Sequence, residues 1–174
     1  AYLGVYISNC VVTVLEPQIV AGAVDLGLSV NWATCNLGAE SPEKDGYYYA
    51  WGETQPKKDY ILGSYKWYDP QSDSYTKYIT DSQFGNVDGK TVLDAEDDAV
   101  REYWGGSWRM PSSLEFQELI NLCHWELTTI NGVEGYKVSS QVEGYENNWI
   151  FIPITGCKVG TTFFEDEEGY YWTN

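Results

Sequence analysis

The stretch SWRMPSSLEF, residues Ser107–Phe116, specifies the beginning of a helix more completely than any other part of the chain. Ser112 is the predicted N-cap, whose hydroxyl can accept a hydrogen bond from the backbone N–H three residues on. Glu115 stands at the third helical position and can reach back to the Ser112 N–H, which completes a capping box. A helix is therefore predicted to begin directly after Ser112.

The residues that follow carry one apolar stripe. Phe116, Leu119, Ile120 and Cys123 recur at the i, i+3, i+4, i+7 spacing of a helix that packs on a core. Just before the cap, Arg109 is either an ion-pair partner of a buried carboxylate or a surface residue, and we favour a structural role.

Other segments predict a second helix and several short strands. Asp94 is the predicted cap of a helix that runs to about Trp104, and Gly105-Gly106 ends it. Asn131-Gly132 is a strong signal for a hairpin turn between two strands. Further strands are predicted at Val24–Ala33, at Tyr47–Trp51, at Trp149–Thr155 as a central strand, and at Tyr170–Trp172.

Composition limits the classes of fold and function. With 174 residues the chain is expected to form one domain, and 8 Trp, 15 Tyr and 17 Gly favour short strands and tight turns. The net charge of −16 argues against nucleic acid or an anionic membrane as a partner, because both are bound by basic patches. No stretch approaches the roughly 20 apolar residues of a membrane span, so no membrane insertion is expected.

The four cysteines leave two interpretations open. An even number fits two disulfides in any of three pairings, but buried free thiols are equally compatible with a domain of this size. No two cysteines are close enough for a zinc knuckle. The cysteines are Cys10, Cys35, Cys123 and Cys157.

Few residues are available for catalysis. A single histidine, His124, can supply neither a multi-histidine iron centre nor a convincing Ser-His-Asp triad. His124 is instead predicted to stand at a helix C-terminus, where a cation is stabilised. No carboxylate pair for glycoside hydrolysis stands out among the 26 acidic residues. We therefore expect that the protein is not an enzyme.

Three segments together resemble the Fibrobacter-type major paralogous domain. They are VDLGLSVNWATCNLGAESPEKDGYYYAWGE (Val24–Glu53), GGSWRMPSSLEFQELINLC (Gly105–Cys123) and GYYWTN (Gly169–Asn174). The helix start R-[LM]-P-[ST]-x-x-E-[WF] is shared with the wider formylglycine-generating (sulfatase-modifying) superfamily. The resemblance implies an α+β, C-type lectin-like fold, with two short helices, a small irregular antiparallel sheet and long loops.

The resemblance also implies how the chain is organised. Residues 23–174 are expected to form the lectin-like domain, and residues 1–22 an N-terminal strand segment or the end of an upstream domain. Relatives continue past the YYW strand, so we expect the domain to be truncated at its C-terminus or completed by residues 1–22. A sheet edge left open there would pair with a second copy and give a homodimer.

Residues 53–92 are polar, rich in tyrosine and weakly periodic, and loops of such length are usually functional. Aromatic rings supply large, rigid contact areas at low entropic cost, so the aromatic residues of this region are predicted to bind ligand. The alternative is that they fill gaps beneath the loops. These residues are Tyr65, Trp67, Tyr68, Tyr75 and Tyr78. Most other tryptophans are assigned to the core: Trp32, Trp51, Trp104, Trp108, Trp125 and Trp149.

These features predict a non-catalytic, extracellular or cell-surface module of a bacterial lipoprotein or secreted protein, which binds a glycan or a protein surface. Alternatives are a retroelement-diversified receptor-binding protein, a formylglycine-generating-type enzyme and a structural piece of a surface fibre. The enzymes use a closely spaced pair of late cysteines, whereas Cys157 is the only late cysteine here.

No cofactor and no metal site is predicted from the sequence. Calcium is the alternative, because lectin-like folds often hold it and two acidic clusters, Asp94–Asp98 and Glu165–Glu168, offer carboxylates. The first cluster is better explained as a helix N-terminus and the second as a solvated loop.

Overall fold

The computed structural model describes residues 21–164 and 168–174, and in that part of the chain it contains two helices and several short antiparallel strands. In chain order the elements are β1 (Ala23–Val24), β2 (Trp32–Ala33), β3 (Tyr68–Asp69), β4 (Ser74–Tyr75), α1 (Ala99–Trp104), α2 (Ser113–Leu122), β5 (Cys123–Ile130), β6 (Val133–Ser140), β7 (Trp149–Pro153), β8 (Cys157–Val159) and β9 (Thr162–Phe164). Short 3-10 turns lie at Leu62–Ser64, Ser82–Phe84 and Ala95–Asp97. The expected α+β class is confirmed, whereas the lectin-like identity stays a prediction.

Some predictions concern residues outside the described ranges. Residues 1–20 of the expected N-terminal segment lie outside them, and so do Cys10 and Glu165–Glu167 of the second acidic cluster. The homodimer through an open sheet edge depends on that N-terminal segment and stays a prediction. Within residues 21–164 and 168–174, no helix has the length and apolar character that crossing a bilayer requires.

The beginning of α2 follows the prediction. The Glu115 N–H donates to Ser112 Oγ (3.3 Å), and the Ser112 N–H donates to Glu115 Oε2 (2.7 Å), which is a complete capping box. The Arg109 guanidinium donates hydrogen bonds to the same carboxylate from both terminal nitrogens. Nη1 donates to Glu115 Oε2 (2.8 Å), and Nη2 donates to Glu115 Oε1. The structural role expected for Arg109 is therefore confirmed: its ion pair with Glu115 stabilises the first turn of α2.

This ion pair predicts a specific loss of stability in acid. Hydrogen bonds from Arg109, and then from Ser112, lower the pKa of Glu115 from 4.5 to about 2. A carboxyl whose pKa is lowered in the folded state stabilises the fold above its unfolded pKa and loses this contribution as the pH falls through the folded value. From pH 7 to pH 2.5, wild type is expected to lose about 1–2 kcal/mol more unfolding free energy than Glu115→Gln, after allowance for solvent screening.

Urea denaturation at the two pH values measures this difference. Glu40→Gln, which removes an exposed loop carboxyl, is the control and is expected to follow wild type. Equal acid sensitivity of wild type and Glu115→Gln would contradict the prediction.

The apolar stripe of α2 is narrower than predicted. Leu119 and Cys123 are buried and Phe116 is half-buried, with its ring 5.8 Å from the ring of Trp32 in an edge-on contact. The prediction was wrong for Ile120, which is 47% exposed. The helix itself buries only Leu119 fully, because α2 ends at Leu122 and the buried Cys123 is already the first residue of β5.

The main core lies between α2 and the largest sheet. Its buried residues come from four separate parts of the chain: Leu26, Leu119, Cys123, Val138 and Ile150. Partly buried side chains close it at its margins, among them Trp32, Trp125 and Ile152. The N-terminal loop, the helix and the sheet are thereby held as one unit by burial of apolar surface.

The largest sheet has the antiparallel order β5-β6-β7. The hairpin predicted at Asn131-Gly132 is confirmed, and both residues have positive φ (50° and 85°), as a type I′ turn requires. The prediction of a central strand at Trp149–Thr155 was wrong, because in the described chain β7 pairs with β6 alone. Its apolar run reflects contacts on both faces, with Ile150 in the core and Phe151 packed over Gly135.

Three predicted strands take another form. Val24–Ala33 divides into β1 and β2 around a loop, where the Gly27 N–H (φ 71°) donates to the Asp25 side chain. Tyr47–Trp51 and Tyr170–Trp172 form no strands in the structure. A side-chain hydrogen bond, and not strand pairing, joins these two segments. The Trp172 indole N–H donates to the Tyr49 carbonyl (2.9 Å).

The first helix begins later than predicted. Asp94 is not its cap, because the Asp94 carboxylate is held by Lys77 and Lys90, and a 3-10 turn follows it. Asp98 caps α1 instead, with its carboxylate accepting hydrogen bonds from Val100 and Arg101. The predicted end at Gly105 is confirmed.

Some single-residue predictions also need correction. His124 lies exposed in β5 and not at a helix C-terminus, because α2 ends at Leu122. Trp149 is 42% exposed and lies beneath the Lys137 ammonium, so it is not a core residue. Among the described cysteines, the thiols are free: Cys35, Cys123 and Cys157.

Candidate functional site

The five aromatic residues predicted to bind ligand lie together beneath the long loops. Ring centroids are 5.6 Å apart for Tyr68–Tyr75, 6.2 Å for Tyr65–Tyr75 and 5.9 Å for Trp67–Tyr78. All five side chains are half-buried. The structure therefore gathers the predicted residues into one cluster.

Most polar groups of this cluster are bonded within the chain. The Tyr65 hydroxyl donates to the Trp51 carbonyl (2.9 Å), and the Trp67 indole N–H donates to the Gly52 carbonyl (3.0 Å). The Tyr68 hydroxyl donates to the Asp73 carboxylate. These contacts resemble those of a small satellite core, and a binding role for the five residues stays a prediction.

A buried carboxylate, that of Asp97, is hydrogen-bonded to the aromatic cluster through Tyr78. Asp97 is 1% exposed and accepts hydrogen bonds from Lys66 Nζ (2.8 Å), Lys77 Nζ (2.6 Å) and the Tyr78 hydroxyl (2.6 Å). Burial opposes ionisation of Asp97, but its bonds to the two lysines and the phenol outweigh that effect and lower its pKa. Burial, together with the bond to Asp97, raises the pKa of Tyr78 to about 12.

A second aromatic surface forms where the chain after residue 35 meets the C-terminal part of the structure. Here a cleft of about 570 Å³, which we name the tyrosine cleft, opens between these segments. Its aromatic lining comprises Tyr47, Tyr48, Tyr49, Tyr60, Tyr170, Tyr171 and Trp172. This cleft is the candidate functional site.

Tyrosine hydroxyls fix the inner wall of the cleft. Tyr48 donates to the Thr155 carbonyl (2.5 Å), Tyr60 donates to the Tyr48 carbonyl (2.5 Å) and Tyr171 donates to the Pro153 carbonyl (2.6 Å). The bond from Tyr48 joins segments that are distant along the chain, and the other two join residues 12 and 18 positions apart. The rings are therefore held in position before any ligand arrives.

Three aromatic residues that line the cleft are largely exposed. Tyr47, Tyr170 and Trp172 are 52%, 54% and 54% exposed. Single exposed apolar side chains are common on protein surfaces, but a contiguous exposed apolar patch often marks an interaction site. An anchored inner wall with an open aromatic rim is the arrangement that a recognition site needs.

The chemistry of the cleft is that of neutral phenols. Burial raises the pKa of Tyr171 to about 12, and burial also raises the pKa values of Tyr48 and Tyr49. These hydroxyls therefore stay protonated at neutral pH, and those of Tyr48 and Tyr171 already donate to backbone carbonyls. Two charged residues, Asp45 and Lys158, also line the cleft.

One hydroxyl in this lining has no partner among the described residues. The buried Oη of Tyr49 makes no hydrogen bond there, although buried polar atoms are normally paired. Its ring lies 6.3 Å from the ring of Tyr103.

Sequence reasoning assigned the rim residues to strands and so missed the cleft. The runs Tyr47–Tyr49 and Tyr170–Trp172 each contain three consecutive aromatic residues. Successive side chains of an extended segment point to opposite sides, so no single core can take all three. This pattern was the signal that at least one ring of each run meets solvent.

The described residues show no ready metal site. Within residues 21–164 and 168–174, no group of three or more His, Cys, Asp or Glu side chains is arranged to hold an ion. In the acidic cluster Asp94–Asp98, lysines hold Asp94 and Asp97, and Asp98 caps α1. The calcium alternative stays a prediction.

Comparison with known proteins adds no assignment. No family model, no curated protein and no solved structure matches this chain. The resemblance to the Fibrobacter-type domain rests on the three quoted segments and stays a prediction. The case for a binding site depends on the geometry of the tyrosine cleft.

Proposed function

We propose that this chain is a non-catalytic binding module of a bacterial extracellular or cell-surface protein, and that it binds a glycan in the tyrosine cleft. One observation carries the proposal: Tyr47, Tyr170 and Trp172 expose their rings along a concave cleft whose inner rings are anchored. Sugar rings present apolar faces and hydroxyl edges, which match aromatic faces and phenolic or carbonyl groups.

Rigidity supports this function. Binding costs less when the contacting side chains are already ordered, because little rotamer freedom is lost on association. Tyrosine and tryptophan have only two side-chain torsions, and the Trp172 indole N–H is bonded to the Tyr49 carbonyl. A protein surface fits less well as the ligand, because the exposed rings flank a concave cleft and not a flat patch.

Charge narrows the class of glycan. The chain carries a net charge of −16, which repels anionic ligands at low ionic strength. Within the cleft, Asp45 can accept hydrogen bonds from sugar hydroxyls and Lys158 can donate to them. The ligand is therefore an uncharged glycan.

Binding to a glycan array, followed by calorimetric titration of the best ligand, tests this function. Removing one rim ring, by Trp172→Ala or Tyr47→Ala, is expected to weaken binding by about tenfold or more, the effect of losing a central aromatic contact. Trp149→Ala removes an exposed tryptophan outside the cleft lining and is expected to bind as wild type does.

Circular dichroism establishes that each variant is folded. The proposal is wrong if folded wild type binds no glycan, or if the folded rim variants retain wild-type affinity.

A further inference from the structure

A cluster of reactive side chains outside the cleft joins the long loops to the entrance of α1. Lys77 Nζ lies 2.6 Å from Asp97 Oδ2 and 2.6 Å from Asp94 Oδ2. The Tyr78 hydroxyl donates to Asp97 Oδ2 (2.6 Å), and Lys66 Nζ lies 2.8 Å from Asp97 Oδ1. An amine, a buried carboxyl group and three assisting groups therefore meet at one point.

We propose that Lys77 and Asp97 form an intramolecular amide bond. In this step Lys77 Nζ attacks Asp97 Cγ, a new N–C bond forms, and the bond from Cγ to Oδ2 breaks. Oδ2 leaves with two protons as one water molecule. The condensation is redox-neutral and needs no oxidant, reductant or cofactor.

The neighbouring groups supply the help that such a condensation needs. Asp94 Oδ2 is placed to accept a proton from the attacking amine, and Tyr78 is placed to donate one to the leaving Oδ2. The Lys66 ammonium faces Oδ1, where negative charge develops in the tetrahedral intermediate. The two residues that react and the three that assist thus have separate roles.

The surroundings restrict water at the reacting atoms. Asp97 is 1% exposed, and the ammonium groups of Lys66 and Lys77 lie 4.2 Å and 4.8 Å from the centroid of the Trp67 ring. Contact distance and fixed orientation raise the effective concentration of the two reacting groups. The burial of Asp97 also limits hydrolysis of the product amide.

The resting state is an ion pair, and this makes the reaction slow. Hydrogen bonds to Asp94 and Asp97 raise the pKa of Lys77, so its amine is mostly charged. Attack needs the neutral amine and the protonated carboxyl group, which a proton transfer inside the pair produces without changing the net charge. Each molecule reacts only once after folding, so a small reactive population is sufficient.

The intact mass of the full chain tests the proposal. Purified protein, kept folded at neutral pH, is expected to weigh about 18 Da less than its sequence, the mass of the water lost when the amine attacks. Peptide mapping is expected to show one branched peptide that joins Lys77 to Asp97. The proposal is wrong if folded protein keeps its sequence mass after prolonged incubation, or if the lost water maps elsewhere, for example to a succinimide at Asp88-Gly89.

Matched variants identify the reacting lysine. Lys77→Arg keeps the charge but removes the amine nucleophile, and it is expected to show the full sequence mass. Lys66→Arg keeps a cation beside Oδ1 and is expected to lose water as wild type does. Tyr78→Phe is expected to lengthen the half-time of the mass loss. A retained deficit in Lys77→Arg would overturn the proposal, and the wild-type map decides the question if that variant does not fold.

Discussion

Replacing Asp98 by alanine is expected to destabilise the fold by about 3 kcal/mol or more, because one buried carboxylate serves three backbone groups. Asp98 is fully buried; its Oδ1 accepts from Val100 N (2.9 Å) and Arg101 N (3.3 Å), and its Oδ2 accepts from Met110 N (2.9 Å). The substitution therefore removes the cap of α1 and also leaves the Met110 N–H unpaired in a buried position.

Urea denaturation, followed by circular dichroism, measures the loss. Asp81→Ala is the matched control, since Asp81 caps an exposed 3-10 turn through Gln83 N (2.9 Å), and it is expected to cost less than about 1 kcal/mol. Asp98→Asn keeps one acceptor for the cap and is expected to fall between the two. Similar losses for Asp98→Ala and Asp81→Ala would show that the contact to Met110 contributes little.

The second large effect is expected at Gly135 in the middle strand of the main sheet. A Cβ there would lie 2.5 Å from Phe151 Cζ, 2.6 Å from the Ile152 carbonyl oxygen and 2.7 Å from Pro153 Cα. Two of these three atoms belong to the backbone of β7, which cannot move without breaking its pairing with β6. We expect Gly135→Ala to destabilise the fold by about 3 kcal/mol or more, at the upper end for overpacking.

This expectation opposes strand propensity, which favours alanine over glycine inside a strand. Gly63→Ala is the matched control, because no atom lies within 4 Å of a Cβ at that position, and it is expected to change stability by less than about 0.5 kcal/mol. Urea midpoints of the two variants provide the comparison. A wild-type midpoint for Gly135→Ala would mean that β7 yields more easily than its contacts indicate.

Local signals predicted the parts of the fold that local contacts build. The capping box of Ser112 and Glu115 and the turn at Asn131-Gly132 both involve residues close together in the chain, whereas the sequence did not identify Glu115 as the partner of Arg109. Such contacts depend on side-chain chemistry at fixed spacing, so a sequence pattern is sufficient to identify them.

Errors arose where a distant partner competed for the same group. Asp94 is a good cap by type and position, but Lys77 holds its carboxylate, and Asp98 caps α1 in its place. The aromatic run Tyr47–Trp51 has strand propensity, but its Tyr49 carbonyl accepts a hydrogen bond from the Trp172 side chain at the other end of the chain. Propensity cannot foresee such partners, because tertiary contacts override it.

The candidate site likewise was predicted in part from local sequence and in part depends on distant contacts. Composition and the polar loops indicated aromatic binding, and the five residues named from the loops do lie together, but most of their polar groups are used inside the chain. The largely exposed aromatic residues are instead Tyr47, Tyr170 and Trp172, which the sequence pattern assigned to strands. Whether an aromatic ring faces a core or a cleft depends on what packs against it.

The amino-acid sequence predicted the α+β class through its resemblance to a known family. By itself it determined the start of α2 and the turn of the main hairpin, because these depend on propensities and on contacts within a few residues. Only the tertiary structure decided which carboxylates cap, which pair with lysines and which aromatic rings line the tyrosine cleft. Those outcomes depend on segments far apart in the chain competing for the same hydrogen bonds and the same buried space.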